Sequence, residues 1–204
     1  MASNSKHGQV LSPEFLLLAY CNGYFPMARH RHGPIEWHSP DPRAIIPLDG
    51  LRVSRSLRRT LRKKLFEVRI DTEFEAVMQG CADREETWIS EEIIAAYTTL
   101  HKLGYAHSVE TWQNDRLVGG LYGVAIGGAF FGESMFSRAP DASKVALVHL
   151  VQRLKERGFA LLDTQFLTEH LRSMGAREIS RARYLSLLAD AIAIKTSFGT
   201  EERT

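Results

Sequence analysis

The stretch that decides the fold is residues 107–137, HSVETWQNDRLVGGLYGVAIGGAFFGESMFS. It contains two runs rich in β-branched, aromatic and apolar residues, 107–113 and 116–127, with Asn114-Asp115 between them. Such a polar pair between two strand-like runs predicts a tight turn, so the two runs form an antiparallel hairpin. Residues 128–137, GAFFGESMFS, predict a third strand beside them.

Downstream of these strands the pattern changes to helix. Residues 143–157 carry apolar side chains at helical spacing, which predicts a helix packed on the sheet and stopped by Gly158. Residues 159–166, FALLDTQF, predict another strand, followed by a short helix to Gly175 and a last helix over 181–193. This order of elements indicates an α+β fold and resembles the GNAT type of acyltransferase, an analogy that says little about chemistry by itself.

Upstream, the sequence predicts a small separate unit. Ser12 is placed to cap a helix from Pro13 to Cys21, with proline at its first position. The segment that follows is rich in aromatic residues, proline and histidine, and Pro40-Asp41-Pro42 breaks any regular element. We therefore expect a small N-terminal domain over residues 1–41 and a GNAT-like domain over residues 42–204.

Two further helix starts are indicated between these regions. Thr72 and Glu75 have the spacing of a capping box before a short helix. Ser90, followed by two glutamates, opens another helix that ends at Gly104.

The composition is that of an ordinary globular protein. The chain has 204 residues, 44% of them hydrophobic and 25% charged, which excludes a disordered or collagen-like chain. Cys21 and Cys81 are too few for a disulfide scaffold or a zinc site and favour a reducing compartment. Residues 1–9 lack the apolar core of a signal peptide, and the uncharged stretch 117–132 is too short and too rich in glycine to span a bilayer. We expect a soluble, cytoplasmic protein with no membrane partner.

A strongly basic segment lies within this nearly neutral chain, whose formal net charge is +2. Outside residues 51–65 the chain has 19 basic and 24 acidic residues, a balance of −5. Leu57, Leu61 and Leu65 repeat every four residues, which predicts a helix with one apolar face. The cluster is either a solvated helix face or a phosphate-binding patch that steers nucleic acid to one side of the protein, and the pattern does not distinguish RNA from DNA. Its basic members are Arg52, Arg55, Arg58, Arg59, Arg62, Lys63 and Lys64.

Three polar side chains stand within otherwise apolar predicted strands. Asp163 and Gln165 are two residues apart, so both leave the strand on the same face, and the apolar neighbours indicate burial. Buried polar groups need partners, because leaving them unpaired costs a few kcal/mol. Asp163 is therefore either part of a site or a structural group that caps a loop or pairs with an arginine. Glu133, in GESMFS, is likewise either a site residue or a surface strand residue.

No metal site or protein nucleophile is indicated. His30 and His32 lie among arginines that oppose cation binding, and the sequence lacks HExxH, paired CxxC and Walker motifs. No serine sits in a nucleophile elbow, and neither cysteine has an activating neighbour. We therefore expect chemistry without a metal, a cofactor or a covalent protein intermediate.

Eight blocks, in order along the chain, are specific enough together to indicate a family. They are GYFPM (23–27), WHSPDPRAIIPL (37–48), TWI (87–89), HSVETW (107–112), LVGGLYGVAIG (117–127), GESMFSRAPDASKVAL (132–147), LLDTQF (161–166) and HLRSMGAREISRARY (170–184). The sequence resembles the leucyl/phenylalanyl-tRNA–protein transferases, bacterial enzymes that mark proteins for N-end-rule degradation. The resemblance covers nearly the whole chain from Leu11.

The resemblance implies the reaction and the residues that perform it. Leu or Phe, sometimes Met, would pass from aminoacyl-tRNA to the α-amino group of a protein with N-terminal Arg or Lys. Asp163 and Gln165 match the catalytic DxQ motif, with the amide orienting the amine and the carboxylate polarising the amide. Glu133 matches an acid that faces the acceptor.

Binding residues are implied by the same resemblance. Leu121, Met135, Ser137 and Leu150 match the pocket for the Leu or Phe side chain. Where family members often have Trp after Phe-Pro this chain has Met27, so stacking on the terminal adenosine would rely more on Trp88. The basic segment would hold the tRNA, and we expect a monomer.

Two other functions compete with this interpretation. A GNAT enzyme that uses acyl-CoA would need a glycine-rich turn at the strand–helix junction. In this sequence the junction is residues 137–144, SRAPDASK, which contain no glycine. A non-enzymatic RNA-binding module would use the basic helix but has no need of an acid and an amide on a buried strand.

Overall fold

The structure, a computed structural model, describes residues 11–199. Its helices are α1 (Pro13–Cys21), α2 (Arg55–Arg62), α3 (Phe74–Ala82), α4 (Glu91–Lys102), α5 (Ala142–Glu156), α6 (Glu169–Ser173) and α7 (Arg181–Ile192). Its strands are β1 (Phe25–Ala28), β2 (Ile35–His38), β3 (Arg43–Ile45), β4 (Glu67–Ile70), β5 (Ala106–Gln113), β6 (Arg116–Ile126), β7 (Ala129–Ser137), β8 (Leu161–Gln165) and β9 (Arg177–Ile179). The predicted α+β class and the small N-terminal unit are confirmed.

The main sheet has the strand order β4-β5-β6-β7-β8-β3-β9. β5 and β6 form the predicted hairpin, and Asn114 and Asp115 at its turn have φ of 51° and 55°, as a two-residue hairpin turn requires. β7 and β8 are parallel and pair only over Ala129–Phe131 and Leu161–Asp163. After Phe131 and Asp163 the two strands are no longer paired, and the cavity described below lies at that point.

Helices cover both faces of this sheet and enclose two hydrophobic clusters. On one face α1, α3, α4 and α7 contribute buried side chains such as Tyr20, Met78 and Tyr97. On the other face α2 and α5 contribute Leu57 and a row of residues that includes Leu150. Full burial of each such side chain stabilises the fold by roughly 1.5–3 kcal/mol, so the sheet is held between two apolar layers.

The N-terminal unit consists of α1 and the two-stranded sheet β1-β2, in which Phe25 faces His38. Ser12 caps α1 by accepting a hydrogen bond from the Phe15 backbone N–H, as predicted. α1 contacts α4 and α7, and the chain then enters the main sheet as β3, beside β8. The segment that follows the N-terminal unit therefore pairs directly with the strand that carries Asp163 and Gln165.

Some local predictions were wrong. Thr72 and Glu75 do not form a capping box, because Glu110 of β5 accepts hydrogen bonds from the Thr72 backbone N–H and hydroxyl and from the Glu73 backbone N–H. The basic helix ends at Arg62, so Leu65 lies beyond it and its side chain is 45% exposed. None of the helices described for residues 11–199 combines the length and the apolar character needed to cross a bilayer.

Candidate active site

A cavity of about 250 Å³ lies where β7 and β8 stop pairing. Its apolar wall is formed by Leu121 and Met135, which are cross-strand partners on β6 and β7, together with Leu150 of α5. Leu147, Leu162 and Leu171 complete this wall. Glu133 and Gln165 line the same cavity, so it combines an apolar interior with a carboxyl group and an amide.

Glu133 is the centre of a hydrogen-bond network at this cavity. Its Oε1 accepts a hydrogen bond from the Tyr20 hydroxyl at 2.7 Å and another from Gln165 Nε2 at 3.1 Å. The Tyr97 hydroxyl can donate its one proton to the Tyr20 hydroxyl or to Oε2, which is 3.5 Å away. Helices α1 and α4 thus hold one face of the carboxyl group, and β8 holds another.

This environment raises the pKa of Glu133 to about 8. Burial is the largest cause, and the negative charge of Asp163 adds to it, while the hydrogen bond from Tyr20 and the charge of Arg43 lower the pKa. Burial also raises the pKa of Tyr20 and of Tyr97 well above the usual value, so both hydroxyls stay protonated as donors. Glu133 can therefore gain or lose a proton near neutral pH, which is the property of a general acid or base.

Asp163 is fully buried and forms a bidentate ion pair with Arg43 of β3. Arg43 Nε lies 2.9 Å from Oδ1 and Nη2 lies 2.6 Å from Oδ2. The Tyr184 hydroxyl also donates to Oδ2, at 2.9 Å. The Arg43 guanidinium stacks between the rings of Phe25 and Tyr184, at 4.7 Å and 4.5 Å from their centroids. The charge of Asp163 is thus neutralised within the fold.

The backbone at Gln165 is set by this ion pair. Gln165 has φ of 57°, in the left-handed region that non-glycine residues rarely adopt. Its backbone N–H donates to Asp163 Oδ1 at 2.9 Å, and the next N–H, of Phe166, turns back to the Thr164 carbonyl at 2.7 Å. Such strain costs about 1–3 kcal/mol and persists where the surroundings fix it. Here it directs the amide of Gln165 to Glu133.

Three residues that line the cavity carry buried polar atoms that have no hydrogen-bond partner within residues 11–199. These atoms are the Tyr122 hydroxyl, the Thr164 hydroxyl and His170 Nε2. Native proteins leave few such groups unpaired, and each one calls for an explanation. A polar ligand in the cavity would supply a partner to those of the three atoms that face it.

The basic segment forms an exposed surface at some distance along the chain from this cavity. All seven of its basic side chains are exposed, and none pairs with an acidic side chain in the part of the chain that the structure describes. α2 begins at the Ser54 cap and contacts α5, where the Thr60 hydroxyl donates to Asp141 Oδ2 at 3.0 Å. The surface is therefore free to meet an anionic partner.

Comparison with known proteins decides the family. The family described as "Leucyl/phenylalanyl-tRNA protein transferase" matches residues 45–189, and its N-terminal domain matches residues 9–41. The chain belongs to this family. A transferase of that name from Paramagnetospirillum magneticum is 60% identical over 188 residues, which cover 90% of each chain. Another from Rubrobacter xylanophilus is 58% identical and covers 92% of this chain and 98% of its own.

Comparison with solved structures does not assign this chain to a known fold. L-PGS from Bacillus licheniformis is 18% identical, with a TM-score of 0.42 over 79% of this chain and 55% of that one. A likeness of that size does not confirm the GNAT-like fold, which stays a prediction.

The structure brings five of the residues predicted from the family pattern to one cavity: Glu133, Gln165, Leu121, Met135 and Leu150. Ser137, the last residue of β7, lies outside it, and its hydroxyl accepts a hydrogen bond from the Ser143 backbone N–H in the first turn of α5. Met27 and Trp88 are partly buried against the cluster on the opposite face of the sheet and do not line the cavity.

Asp163 makes a different contact from the one expected. Its carboxylate reaches Gln165 through the backbone N–H, and the side-chain amide of Gln165 donates to Glu133 instead. The alternative that Asp163 pairs with an arginine is the arrangement observed. In this structure Asp163 therefore positions Gln165 through the backbone.

Sequence reasoning missed four residues of the site: Arg43, Tyr20, Tyr97 and Tyr184. Arg43 lies between prolines and a run of apolar residues, in PDPRAIIP, and is fully buried. A buried arginine needs a carboxylate, and Asp163 is the acid on a predicted buried strand, so this pairing was open to inference. The three tyrosines carried no comparable signal, because their partners lie in distant parts of the sequence.

Proposed function

We propose that this protein transfers Leu, Phe or Met from aminoacyl-tRNA to the α-amino group of proteins with N-terminal Arg or Lys, and so marks them for N-end-rule degradation. The observation that carries the proposal is the apolar cavity that ends at the Glu133–Gln165 pair in a member of this family. The proposed organisation is a small domain over residues 1–41 and a GNAT-like catalytic domain over 42–204, in a cytoplasmic monomer without a metal or cofactor.

The apolar part of the cavity suits the side chain of the transferred residue. Leu121 and Leu150 are almost fully buried, and Met135 is partly buried between them and Glu133. Methionine is flexible and polarizable, so one pocket can accept both a Leu and a Phe side chain. Discrimination against β-branched residues then rests on steric exclusion near Cβ, because one methylene is worth only about 1–3 kcal/mol.

The reaction needs little more than positioning and removal of one proton. The ester of an aminoacyl-tRNA is already activated, and the acceptor α-amine has a reference pKa of about 8. Because the pKa of Glu133 is also about 8, its carboxylate can take the amine proton at little cost as the nitrogen attacks the ester carbon. The carbon–oxygen bond to the ribose then breaks, and the ribose oxygen leaves with the proton that Glu133 took from the amine. Correct positioning supplies several kcal/mol more.

Gln165 and Asp163 act on this step in different ways. The amide of Gln165 holds the carboxyl group of Glu133 and presents its own carbonyl oxygen to the acceptor amine. Asp163, together with Arg43, fixes the strained backbone that directs this amide. Gln165 is accordingly a catalytic residue in this proposal, and Asp163 is a positioning residue.

The remaining residues of the proposal bind the donor outside the reacting atoms. Trp88 and Met27 would contact the terminal adenosine, and Ser137 would contact the donor near the mouth of its pocket. The seven exposed basic residues of segment 51–65 would contact the phosphates of the tRNA. Long-range attraction by such a patch would speed association with the donor.

The test is transfer of radiolabelled leucine from leucyl-tRNA to a peptide that begins with Arg. Transfer is expected with the free N-terminus and not with the acetylated peptide, because acetylation removes the nucleophile. Parallel reactions with acetyl-CoA as the donor should give no product. Acetylation by acetyl-CoA without leucyl transfer would replace this function with that of an acyl-CoA GNAT enzyme.

A further inference from the structure

A second cavity, of about 380 Å³, adjoins the first and is lined by two arginines. Arg84, Met135 and His170 line both cavities, so the two share a wall. Arg138 lines the second cavity alone, and its guanidinium also lies 5.2 Å from the centroid of the Phe136 ring. We refer to this space as the arginine cavity.

The charge of the arginine cavity favours an anion. Arg84 and Arg138 contribute two positive charges, and Asp83 is the acidic side chain among the lining residues. Asp83 pairs with Arg138 at 3.3 Å, but both side chains are exposed, at 75% and 53%, so this pair is weak and readily exchanged for a ligand. An arginine fork binds phosphate oxygens through two parallel hydrogen bonds, which is a geometry that lysine does not offer.

His170 stands at the boundary between the two cavities. Its Nε2 is buried and has no partner among residues 11–199. Burial lowers the pKa of His170, and the charge of Lys144 lowers it further, so the ring is neutral at pH 7. A neutral imidazole adds no charge there and offers one hydrogen bond to a ligand that passes from one cavity to the other.

The arginine cavity also lies beside the end of the basic helix. Thr60 of α2 contacts Asp141, the residue before α5, and Ser143 in the first turn of α5 lines the cavity. A polyanionic chain that follows α2 to the mouth of the first cavity would therefore pass over Arg138 and Arg84. Single-stranded nucleic acid carries one phosphate per nucleotide, so a nucleic acid strand on this path would bring a phosphate close to Arg138 and Arg84.

We propose that the arginine cavity binds the phosphodiester that precedes the terminal nucleoside of the donor tRNA. This inference rests on the proposed function, in which the first cavity holds the amino acid of the same donor. Arg84 and Arg138 bind the phosphate oxygens, and His170 forms a hydrogen bond to the ribose or to the phosphate next to it. None of the three residues takes part in the bond changes of the transfer.

The experiment compares three donors that differ only in their phosphates: leucyl-adenosine, with no phosphodiester, leucyl-cytidylyl-adenosine, with one, and leucyl-tRNA. We would measure kcat/KM for each donor with the wild type, Arg138→Gln and Arg84→Gln. Arg157→Gln is the matched control, because Arg157 lies at the far end of α5. Direct titration of cytidylyl-adenosine by calorimetry adds a readout that does not depend on activity.

Arg138→Gln should lower kcat/KM for leucyl-cytidylyl-adenosine about tenfold, the size of one charged hydrogen bond, and leave leucyl-adenosine unchanged. Arg84 also lines the first cavity, so Arg84→Gln should lower kcat/KM for leucyl-cytidylyl-adenosine about tenfold more than that for leucyl-adenosine. Binding of cytidylyl-adenosine should weaken by the same factor, and Arg157→Gln should change neither quantity. Equal losses with both donors, or no loss with either, would overturn the proposal while leaving the proposed function intact. If the wild type transfers leucine from none of the three donors, the proposed function itself is wrong.

Discussion

Removal of Asp163 separates the structural role of this residue from its role in transfer. Asp163→Ala leaves the guanidinium of Arg43 buried without its carboxylate, and the remaining acceptors are the Gly23 carbonyl and the Tyr184 hydroxyl. Breaking a buried pair in this way costs about 3–5 kcal/mol. For a domain of this size each kcal/mol lowers Tm by about 2–4 °C, so Tm should fall by about 6–20 °C.

The double variant Arg43→Met/Asp163→Leu should regain much of this stability. Both charges are then gone, and apolar side chains of similar volume fill a site already lined by Phe25 and Tyr184. Transfer activity should not return with it, because the Gln165 N–H has lost the Oδ1 that fixes its strained backbone. We expect both variants to lose about 10²–10⁴-fold in leucyl transfer, measured well below their Tm.

Thermal unfolding and a transfer assay on the same preparations check both parts. A Tm for Asp163→Ala within 2–3 °C of the wild type would refute the energetic importance of the ion pair. Restored activity in the double variant would refute the positioning role, because it would show that Gln165 needs only a stable fold.

Three further predictions concern the tRNA, the donor pocket and Glu133. Charge reversal at Arg55, Arg59 and Lys63 should weaken tRNA binding and leave activity with leucyl-adenosine unchanged. The slope of log binding constant against log salt concentration should fall by about 0.7–0.9 for each lost phosphate contact. Equal loss of activity with leucyl-tRNA and leucyl-adenosine would indicate misfolding. Met135→Ala should enlarge the pocket and favour Phe over Leu in a competition between charged tRNAs, and an unchanged ratio would make Met135 ordinary core. In the folded protein the pKa of Glu133 is raised to about 8, whereas in the unfolded chain it has its ordinary value of about 4.5. Between these two pH values the native state holds a proton that the unfolded state has released. The free energy of unfolding therefore falls as the pH rises from about 4.5 to about 8. Glu133→Gln should therefore be more stable than the wild type at pH 9, by a few kcal/mol in urea unfolding, with the gap closing toward pH 4; a gap independent of pH would contradict the raised pKa.

The elements that the sequence predicted well are those whose signals are local. The turn at Asn114-Asp115, the Ser12 and Ser90 caps and the helical spacing of α5 each depend on neighbours within a few residues. The contrast is Thr72, whose local capping signal was overridden by Glu110, 38 residues away. A carboxylate on a neighbouring strand offers stronger hydrogen bonds than a helix cap, and local spacing contains no trace of it.

The site shows the same division. The family pattern identified the side chains that line the cavity, because Glu133 and Gln165 stand in specific blocks. It did not reveal the groups that hold them, since Tyr20 and Arg43 reach β7 and β8 across 113 and 120 residues. β3 is only three residues long and follows two prolines, so its strand pairing depends on partners that only the folded chain supplies.

The most direct test of the proposed chemistry is the single-turnover rate of leucyl transfer to an Arg-starting peptide, with leucyl-adenosine and with leucyl-tRNA as donors. Wild type, Glu133→Gln and Gln165→Ala would be compared, with Glu156→Gln as a control on the far end of α5. Both site variants should be slower by about 10²–10⁴-fold with either donor, at saturating enzyme and with folding unchanged by circular dichroism. Rates within a few-fold of the wild type for both variants would contradict the assignment of this cavity as the centre of transfer.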